Sequence, residues 1–209
     1  HFIKYAKPYV KELIGLELNK AQAEYCRKTY NVNVSSVQIE KFQPHGQFDV
    51  VCCFQVLEHV PHPVDFLRTV LRFVKPDGIL VLDVPNSNEP LLNLYRVAGF
   101  QEYYFRKSHL FYYNTKSLSL LFKESGIKRY EIKLLQGYSL TNHFHWLYLK
   151  SPQLSVEVGY NFVLPGNIYG DEKVKMSLKR FFNKINDEYM ELLIKNGYSD
   201  TLWAIINRG

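Results

Sequence analysis

Polar side chains that can exchange protons follow a short apolar run in this 209-residue chain. Asp49–Phe54 is mostly apolar and partly β-branched, which is typical of a strand covered on both faces in the middle of a parallel sheet. Gln55, Glu58 and His59 come directly after it. Open α/β sheets form their sites outside the carboxyl ends of the strands. Because imidazole is partly neutral near pH 7 and can accept a proton, the sequence predicts a functional site at Gln55 to His59.

The elements that position these side chains alternate between strand and helix patterns. The predicted strands are Leu13–Leu16, Val34–Ile39, Asp49–Phe54, Ile79–Val84, Tyr130–Leu135 and Thr201–Ile206. The predicted helices are Phe2–Tyr9, Lys20–Tyr30, Val64–Val74, Ser117–Ser125 and about Glu172–Asn196, with a turn at Lys75–Gly78. Alternating strands and helices favour right-handed crossovers. The pattern therefore predicts an α/β fold with a doubly wound, mostly parallel sheet.

Composition narrows the class of protein. The formal charge is +6, but Lys and Arg are scattered among Asp and Glu, which argues against a nucleic-acid partner. The three cysteines show no metal-ligand spacing, so the sequence predicts no metal site and favours the reducing cytoplasm. No apolar stretch reaches the roughly 20 residues that a membrane span needs. At 209 residues and 46% hydrophobic, the chain is expected to form one domain.

Two segments far apart in sequence predict how this domain is organised. Tyr130–Leu135 and Thr201–Ile206 both have strand patterns, whereas the residues between them are aromatic and helical. We expect the two strands to be antiparallel neighbours. The core then comprises residues 1–136 and 200–209, and residues 137–199 form a cap or insertion. The helix at Glu172–Asn196 carries apolar residues at helical spacing, which predicts that this stripe packs onto the domain.

Four motifs occur in an order and spacing that resemble a known family. They are GLELN at Gly15–Asn19, FDVVCCFQVLEHVPHP at Phe48–Pro63, LRFVKPDGILVLDVPN at Leu71–Asn86, and HLFYYNTKSLSLLFKESGI at His109–Ile127. Together they resemble class I S-adenosylmethionine-dependent methyltransferases, especially the ubiquinone-biosynthesis-like, small-molecule branch. The resemblance implies a Rossmann-like methyltransferase fold with an antiparallel last strand. It also implies S-adenosylmethionine as cofactor and a small-molecule methyl acceptor.

The resemblance assigns cofactor-binding roles to particular residues. Glu17 falls at the tip of the second family strand, where a carboxylate accepts hydrogen bonds from both ribose hydroxyls, a role that would also suit NAD. Gln38 and Ile39 fall where the family contacts adenine, commonly with an acidic residue; Gln can bond the adenine amino group, and a solvated position at the sheet edge is the alternative. Gln55 and Leu57 fall where the family contacts the cofactor after its fourth strand.

The catalytic roles fall on two histidines. His59 is the candidate base for an acceptor hydroxyl or amine, and His109, which precedes an aromatic run, is the second candidate on the substrate side. A structural loop histidine is the alternative for each. The aromatic and basic run Tyr103–Lys107 is expected to form a wall of the substrate pocket.

One element of the family is not found in this sequence. The glycine-rich loop that carries the methionine portion of the cofactor would precede Glu17 by roughly 20 residues, which places it, with the first strand, before His1. A fragment without that loop is expected to bind the cofactor poorly. Two other functions stay open: a catalytically silent relative that serves as a binding or scaffold subunit, and a nucleotide-cofactor oxidoreductase.

Overall fold

The computed structural model describes residues 2–153, 156–162 and 171–209. The chain divides into two compact units, residues 1–47 and 48–209. In the first unit, helix α1 (Phe2–Ala6) and a short 3-10 turn lead to strand β1 (Ile14–Leu16), helix α2 (Lys20–Tyr30) and strand β2 (Asn33–Ser35). β1 and β2 pair in parallel. The predicted core (residues 1–136 and 200–209) and insertion (residues 137–199) have boundaries that differ from those of the two units, and this division stays a prediction.

Helix α2 begins where the sequence predicts it. The side chain of Asn19 accepts hydrogen bonds from the backbone N–H groups of Ala21 and Gln22, which satisfies two donors of the first turn. Asn31 ends the helix in the left-handed conformation. The prediction of a strand over Val34–Ile39 is wrong beyond Ser35, because a 3-10 turn begins at Ile39 and the exposed Gln38 precedes it.

The second unit contains a four-stranded mixed sheet. Its elements, in chain order, are β3 (Phe48–Phe54), α3 (Pro63–Arg72), β4 (Val74–Pro85), α4 (Pro90–Asn93), α5 (Phe100–Tyr104), α6 (Thr115–Glu124), β5 (Arg129–Leu135), α7 (Leu140–Leu149), α8 (Val156–Tyr160), α9 (Glu172–Lys195) and β6 (Thr201–Asn207). The strand order is β3-β4-β6-β5. β3 and β4 are parallel, and β6 runs antiparallel to both of its neighbours.

The last strand confirms one prediction and corrects another. β5 and β6 are antiparallel neighbours, with Ile132 opposite Ala204, as predicted. However, β3 lies at the edge of this sheet and not at its centre, and Val50 within it is 52% exposed. An apolar, β-branched run predicts a strand but does not specify how many strands flank it, so the predicted central position is wrong for this sheet.

The turn predicted at Lys75–Gly78 is incorporated into β4. Phe48 pairs with Val74 and Val50 pairs with Ile79, so β4 carries extra residues at this point and the register shifts. Gly78 allows the close approach that this requires, because a Cβ atom there would lie 2.8 Å from the carbonyl oxygen of Asp49.

One face of the sheet forms the core. Alternate residues of β4 and β6 are fully buried: Leu80, Leu82, Val84, Leu202, Ala204 and Ile206. Residues on the other face of β4 are only partly covered, and they include Asp83 and Pro85. The sheet therefore has one closed face and one that can border a cavity.

Helix α9 packs along part of its predicted apolar stripe. Phe182, Ile185 and Tyr189 of the stripe are partly buried, and the neighbouring Asn186 and Leu193 are buried. Val174, Phe181 and Leu192, which also belong to the stripe, are about half exposed. The side-chain oxygen of Asn186 accepts the N–H of Leu140 at the start of α7. α7, which the sequence did not predict, begins at the N-cap Ser139.

A buried histidine links α7 to α9. His143 is completely buried, its Nδ1 lies 2.5 Å from the hydroxyl of Tyr189, and that hydroxyl lies 2.9 Å from the hydroxyl of Tyr95. Burial lowers the pKa of His143 to about 4. The pKa of histidine in an unfolded chain is about 6.5. Between about pH 4 and pH 6.5 the unfolded state therefore binds more protons than the folded state, in which the imidazole is neutral.

The stability contributed by His143 is expected to decrease as the pH falls from about 6.5 towards 4. Relative to His143→Gln, which does not titrate, the wild type should lose about 2 kcal/mol of unfolding free energy between pH 7 and pH 5. Urea denaturation of both proteins at the two pH values measures this difference. Comparing the two proteins cancels the contribution of the titratable groups that they share. An equal pH dependence in the two proteins would contradict a neutral, buried His143.

Candidate active site

The loop after β3 is fixed to the end of β4. Gln55 has a positive φ of 52°, which is uncommon for a residue other than glycine. Its backbone N–H donates to the carbonyl oxygen of Asp83, and its side-chain amide donates to the Asp83 carboxylate. The indole N–H of Trp203 donates to the other carboxylate oxygen of Asp83 at 3.3 Å. The ends of β3, β4 and β6 therefore hold Gln55 in a defined position.

Glu58 is a buried acid whose carboxyl group accepts no hydrogen bond within the described part of the chain, although its Oε1 lies 3.8 Å from Nε2 of His59. It belongs to the 3-10 turn Leu57–His59, its side chain is 1% exposed, and neither carboxyl oxygen has a hydrogen-bond partner among the described residues. Its backbone carbonyl accepts the N–H groups of Leu110 and Phe111, which brings the segment containing His109 to this turn. Burial raises the pKa of Glu58.

Two histidines meet beside Glu58. The Nδ1 of His59 lies 2.7 Å from the carbonyl oxygen of Ser108, so it carries the proton, and Nε2 is left as the basic nitrogen. The rings of His59 and His109 pack edge to face with centroids 4.7 Å apart. Burial, and then the nearby His59, lower the pKa of His109. The arrangement provides an oriented base and a second imidazole that favours its neutral form.

The same three residues could also hold a divalent cation. Glu58, His59 and His109 each offer a ligand atom, and these atoms lie within 4.8 Å of one another. The carboxylate and imidazole ligands would suit several divalent metals. The sequence predicted no metal site because its reasoning considered the cysteines, and no spacing along the chain relates residue 109 to residues 58 and 59.

A cavity of about 690 Å³ opens beside this cluster. It lies within the second unit and is bordered by Gln55, His59 and His109. Aromatic residues also line it: Phe100, Tyr103, Tyr104, Tyr112, Tyr138, Trp146 and Tyr160. Among the described residues, four acids contribute to the lining, namely Glu58, Asp83, Glu89 and Asp200, together with the guanidinium group of Arg106. The volume suits a small organic molecule.

The structure brings together only some of the residues that the sequence singled out. Gln55, His59 and His109 line one cavity, and Tyr103 and Arg106 from the predicted wall line it as well. Leu57 is 1% exposed, so its side chain belongs to the packed interior.

In the first unit, Glu17 follows β1, is partly exposed, and accepts the backbone N–H of Asn19 with Oε1 at 2.8 Å. Gln38 is exposed and Ile39 is half-buried. The cofactor roles of Glu17, Gln38 and Ile39 stay predictions.

Sequence reasoning missed three acids of the cavity. Asp83 interrupts the apolar run of β4 two residues before that strand ends, Glu89 precedes Pro90 at the start of α4, and Asp200 comes just before β6. An acid interrupting a buried strand, and an acid preceding a proline, are signals that could have identified the first two. Only the pairing of β4 with β6 brings Asp200 to the same place.

Comparison with known proteins gives the family. Residues 1–131 match the model of the methyltransferase domain family. A ubiquinone biosynthesis O-methyltransferase from Pseudomonas aeruginosa is 35% identical over 117 residues, which is 53% of this chain and 49% of that protein. The chain thus spans about half the length of the curated relatives that it matches.

Solved structures show the same fold. A SAM-dependent methyltransferase from Archaeoglobus fulgidus superimposes with a TM-score of 0.58 at 18% identity, over 98% of this chain and 80% of that one. The plantazolicin methyltransferase BpumL, in complex with a triazolic desmethylPZN analog and SAH, gives a TM-score of 0.56 at 14% identity, over 99% of this chain and 71% of that one. Every strand pair that does not include β6 is parallel, so the predicted α/β fold with an antiparallel last strand is confirmed. The chain belongs to the methyltransferase domain family.

Proposed function

We propose that the protein transfers a methyl group from S-adenosylmethionine to a small molecule held in the cavity of the second unit. The observation that supports this most directly is the oriented His59 on the wall of an aromatic cavity, in a chain whose first 131 residues match a methyltransferase family. S-adenosylmethionine supplies an electrophilic methyl group when it is bound. The protein then has to align the acceptor and, where needed, remove its proton.

The acceptor group in this proposal is a hydroxyl. The matched relative from Pseudomonas aeruginosa is named an O-methyltransferase, and an alcohol or phenol needs a base before or during transfer. Nε2 of His59 accepts that proton, because Nδ1 already donates to Ser108. His109 packs against His59 and is the second group able to take up a proton.

A divalent cation on Glu58, His59 and His109 is a second way to activate the hydroxyl. The orphaned oxygens of Glu58 favour it, because a bound cation would satisfy both the buried carboxylate and the free imidazole nitrogens. EDTA distinguishes the two mechanisms. Loss of activity that Mg²⁺ or Zn²⁺ restores favours the cation, whereas full activity in EDTA favours His59 as the base.

The cofactor-binding roles are proposed for the residues of each unit separately. Glu17 can bind the ribose hydroxyls, since it is a partly exposed carboxylate at the end of a parallel strand, with lone pairs left after its bond to Asn19. Gln38 and Ile39 are proposed at the adenine. Gln55 contributes its backbone and side chain, and the buried Leu57 contributes its backbone only.

The proposal is tested with the full-length protein. Calorimetric titration with S-adenosylhomocysteine measures cofactor binding, and transfer of label from methyl-labelled S-adenosylmethionine to phenolic acceptors measures turnover. Binding together with transfer supports the proposal. Binding without transfer to any acceptor would instead indicate the catalytically silent relative, and absence of binding would refute the cofactor assignment. We also propose that the protein acts in the cytoplasm, because all three cysteines are free.

Replacing Glu17 is expected to weaken cofactor binding by about 1.5–3 kcal/mol, because one charged acceptor that serves two hydroxyls is lost. Glu17→Gln keeps an acceptor for the N–H of Asn19, so the start of α2 should be preserved. Calorimetry with S-adenosylhomocysteine measures the change. Glu12→Gln, at an exposed position in the same unit, is the matched control. Equal affinity in Glu17→Gln and the wild type would remove the ribose assignment.

The structural model has no helix that is long and apolar enough to cross a membrane within the ranges it describes.

A further inference from the structure

Two buried carboxyl groups line the cavity without a basic partner. Glu89 is 2% exposed and Asp200 is 8% exposed, and both border the same space. In the described part of the chain, neither forms an ion pair with Lys, Arg or His. Buried acids are usually paired with a cation or coordinate one. These two carboxyl groups therefore lack the counter-charge that such positions normally have.

The groups that do contact these carboxyls are uncharged. Oε2 of Glu89 accepts the backbone N–H of Leu92 at 2.8 Å, and Oε1 has no partner among the described residues. Oδ2 of Asp200 accepts the N–H groups of Gly137 and Tyr138, both at 2.7 Å. Backbone amides fix the two side chains in place, but they leave the negative charge largely uncompensated.

Burial and the neighbouring acids favour the protonated form of both carboxyl groups. Burial, and then the charge of Asp200, raise the pKa of Glu89 to about 8. Burial and the charge of Asp83 raise the pKa of Asp200. Arg106, the one guanidinium group among the described lining residues, lies over the ring of Tyr103 at 5.5 Å and is not within ion-pair distance of either acid.

Aromatic rings line the same cavity as these two carboxyl groups. Trp146 packs against Phe100 and Tyr103 with ring centroids 4.9 and 5.0 Å apart, and Tyr138 lies 4.9 Å from Tyr160. All five residues line the cavity. The faces of such rings attract cations, most strongly where water is excluded. Carboxyl groups and aromatic rings together suit a positively charged organic ligand.

We propose that the molecule bound in this cavity carries a protonated amine, which is held by Glu89 and Asp200 against the aromatic walls. This inference rests on the proposed function in one respect, namely that the cavity is the acceptor site. It adds the substrate class: an amine-bearing hydroxyl compound in which Glu89 and Asp200 determine specificity and His59 serves the hydroxyl.

Two probes with the same carbon skeleton test the charge requirement. Phenethylamine is cationic at pH 7 and 2-phenylethanol is its neutral counterpart. Calorimetric titration of the full-length protein, saturated with S-adenosylhomocysteine, should show at least tenfold tighter binding of phenethylamine. Glu89→Gln and Asp200→Asn should each remove most of this preference, because they keep the shape and an acceptor oxygen but lose the charge. Glu131→Gln, at an exposed acid on β5, should leave it unchanged.

Proton release provides a readout that a merely structural role for Glu89 would not move. Since the pKa of Glu89 is about 8, its carboxyl is mostly protonated at pH 7 in the free protein. The titratable groups that interact with it are Asp200, Tyr104 and Tyr189. Binding of an ammonium group should expel up to about one proton, so the heat should depend on the ionisation enthalpy of the buffer. The release should vanish in Glu89→Gln and diminish above pH 8.

The possible results separate this inference from the proposed function. Equal affinities for the two probes, no binding of phenethylamine at millimolar concentration, or an unchanged preference in both acid variants would each overturn the amine assignment. S-adenosylhomocysteine binding measured in the same samples is independent of these probes. If it is retained while the probes are not distinguished, the amine assignment fails and the methyltransferase proposal stands.

Discussion

Replacing His59 with Gln is expected to lower kcat for methyl transfer by about 10²- to 10⁴-fold, the usual contribution of a positioned general base. His59 has the orientation that this role requires: Nδ1 donates to the carbonyl of Ser108 and leaves Nε2 unprotonated. Glutamine keeps a polar side chain of similar reach but cannot accept a proton at neutral pH. S-adenosylhomocysteine affinity should change little, since the loss concerns the acceptor.

The matched control for this substitution is His62→Gln. His62 is an exposed histidine three residues further along, where it precedes α3 and forms no side-chain cap. Initial rates at saturating cofactor should be unchanged in this variant. A kcat within threefold of the wild type in His59→Gln would exclude His59 as the base, and His109→Gln would then identify whether the second imidazole takes that role.

Phe122→Ala is expected to destabilise the second unit by about 3–5 kcal/mol, the range typical of removing a buried aromatic side chain. Phe122 lies on α6, is completely buried, and its ring packs edge to face on Tyr130 of β5 at 4.9 Å. Truncation removes apolar burial and leaves a cavity that the sheet cannot close without shifting β5.

Chemical denaturation followed by circular dichroism measures this change. Leu120→Ala is the matched control on the same helix, because Leu120 is 56% exposed. It should cost well under about 1 kcal/mol, as most surface substitutions do. Similar losses in the two variants would contradict the packing of α6 on the sheet.

Local signals were sufficient for the elements that depend on nearby residues. Helix α2 has the predicted bounds Lys20–Tyr30, because its cap Asn19 and its apolar positions are all local in sequence. The antiparallel pair β5 and β6 was predictable because both strands have clear apolar patterns and the segment between them does not.

The features that the sequence predicted wrongly or missed depend on tertiary packing. The position of β3 in its sheet depends on how many strands flank it, which its own composition does not encode. Helix α7 was missed because its residues Leu140–Leu149 are aromatic and mostly apolar, and its polar contacts come from Asn186 and Tyr189, more than forty residues away.

The residues of the candidate site likewise include some that local sequence signals identify and others that only the tertiary fold brings together. Gln55 and His59 follow a strand directly and were identified from that position alone. Glu89 and Asp200 reach the cavity through separate elements, and no short pattern connects them. The predicted catalytic and cofactor roles of the selected residues stay predictions until the variants are measured.

The position of β6 within its sheet has a consequence for biosynthesis. β6 lies between β4 and β5, yet it leaves the ribosome after both of them. Until residues 201–207 emerge, β4 and β5 each present an unpaired edge that can associate with other chains. The hydrogen bond from Trp203 to Asp83 spans 120 positions along the sequence, and contacts of such long range slow folding. The nascent chain is therefore expected to depend on chaperones until residues 201–207 have been synthesised.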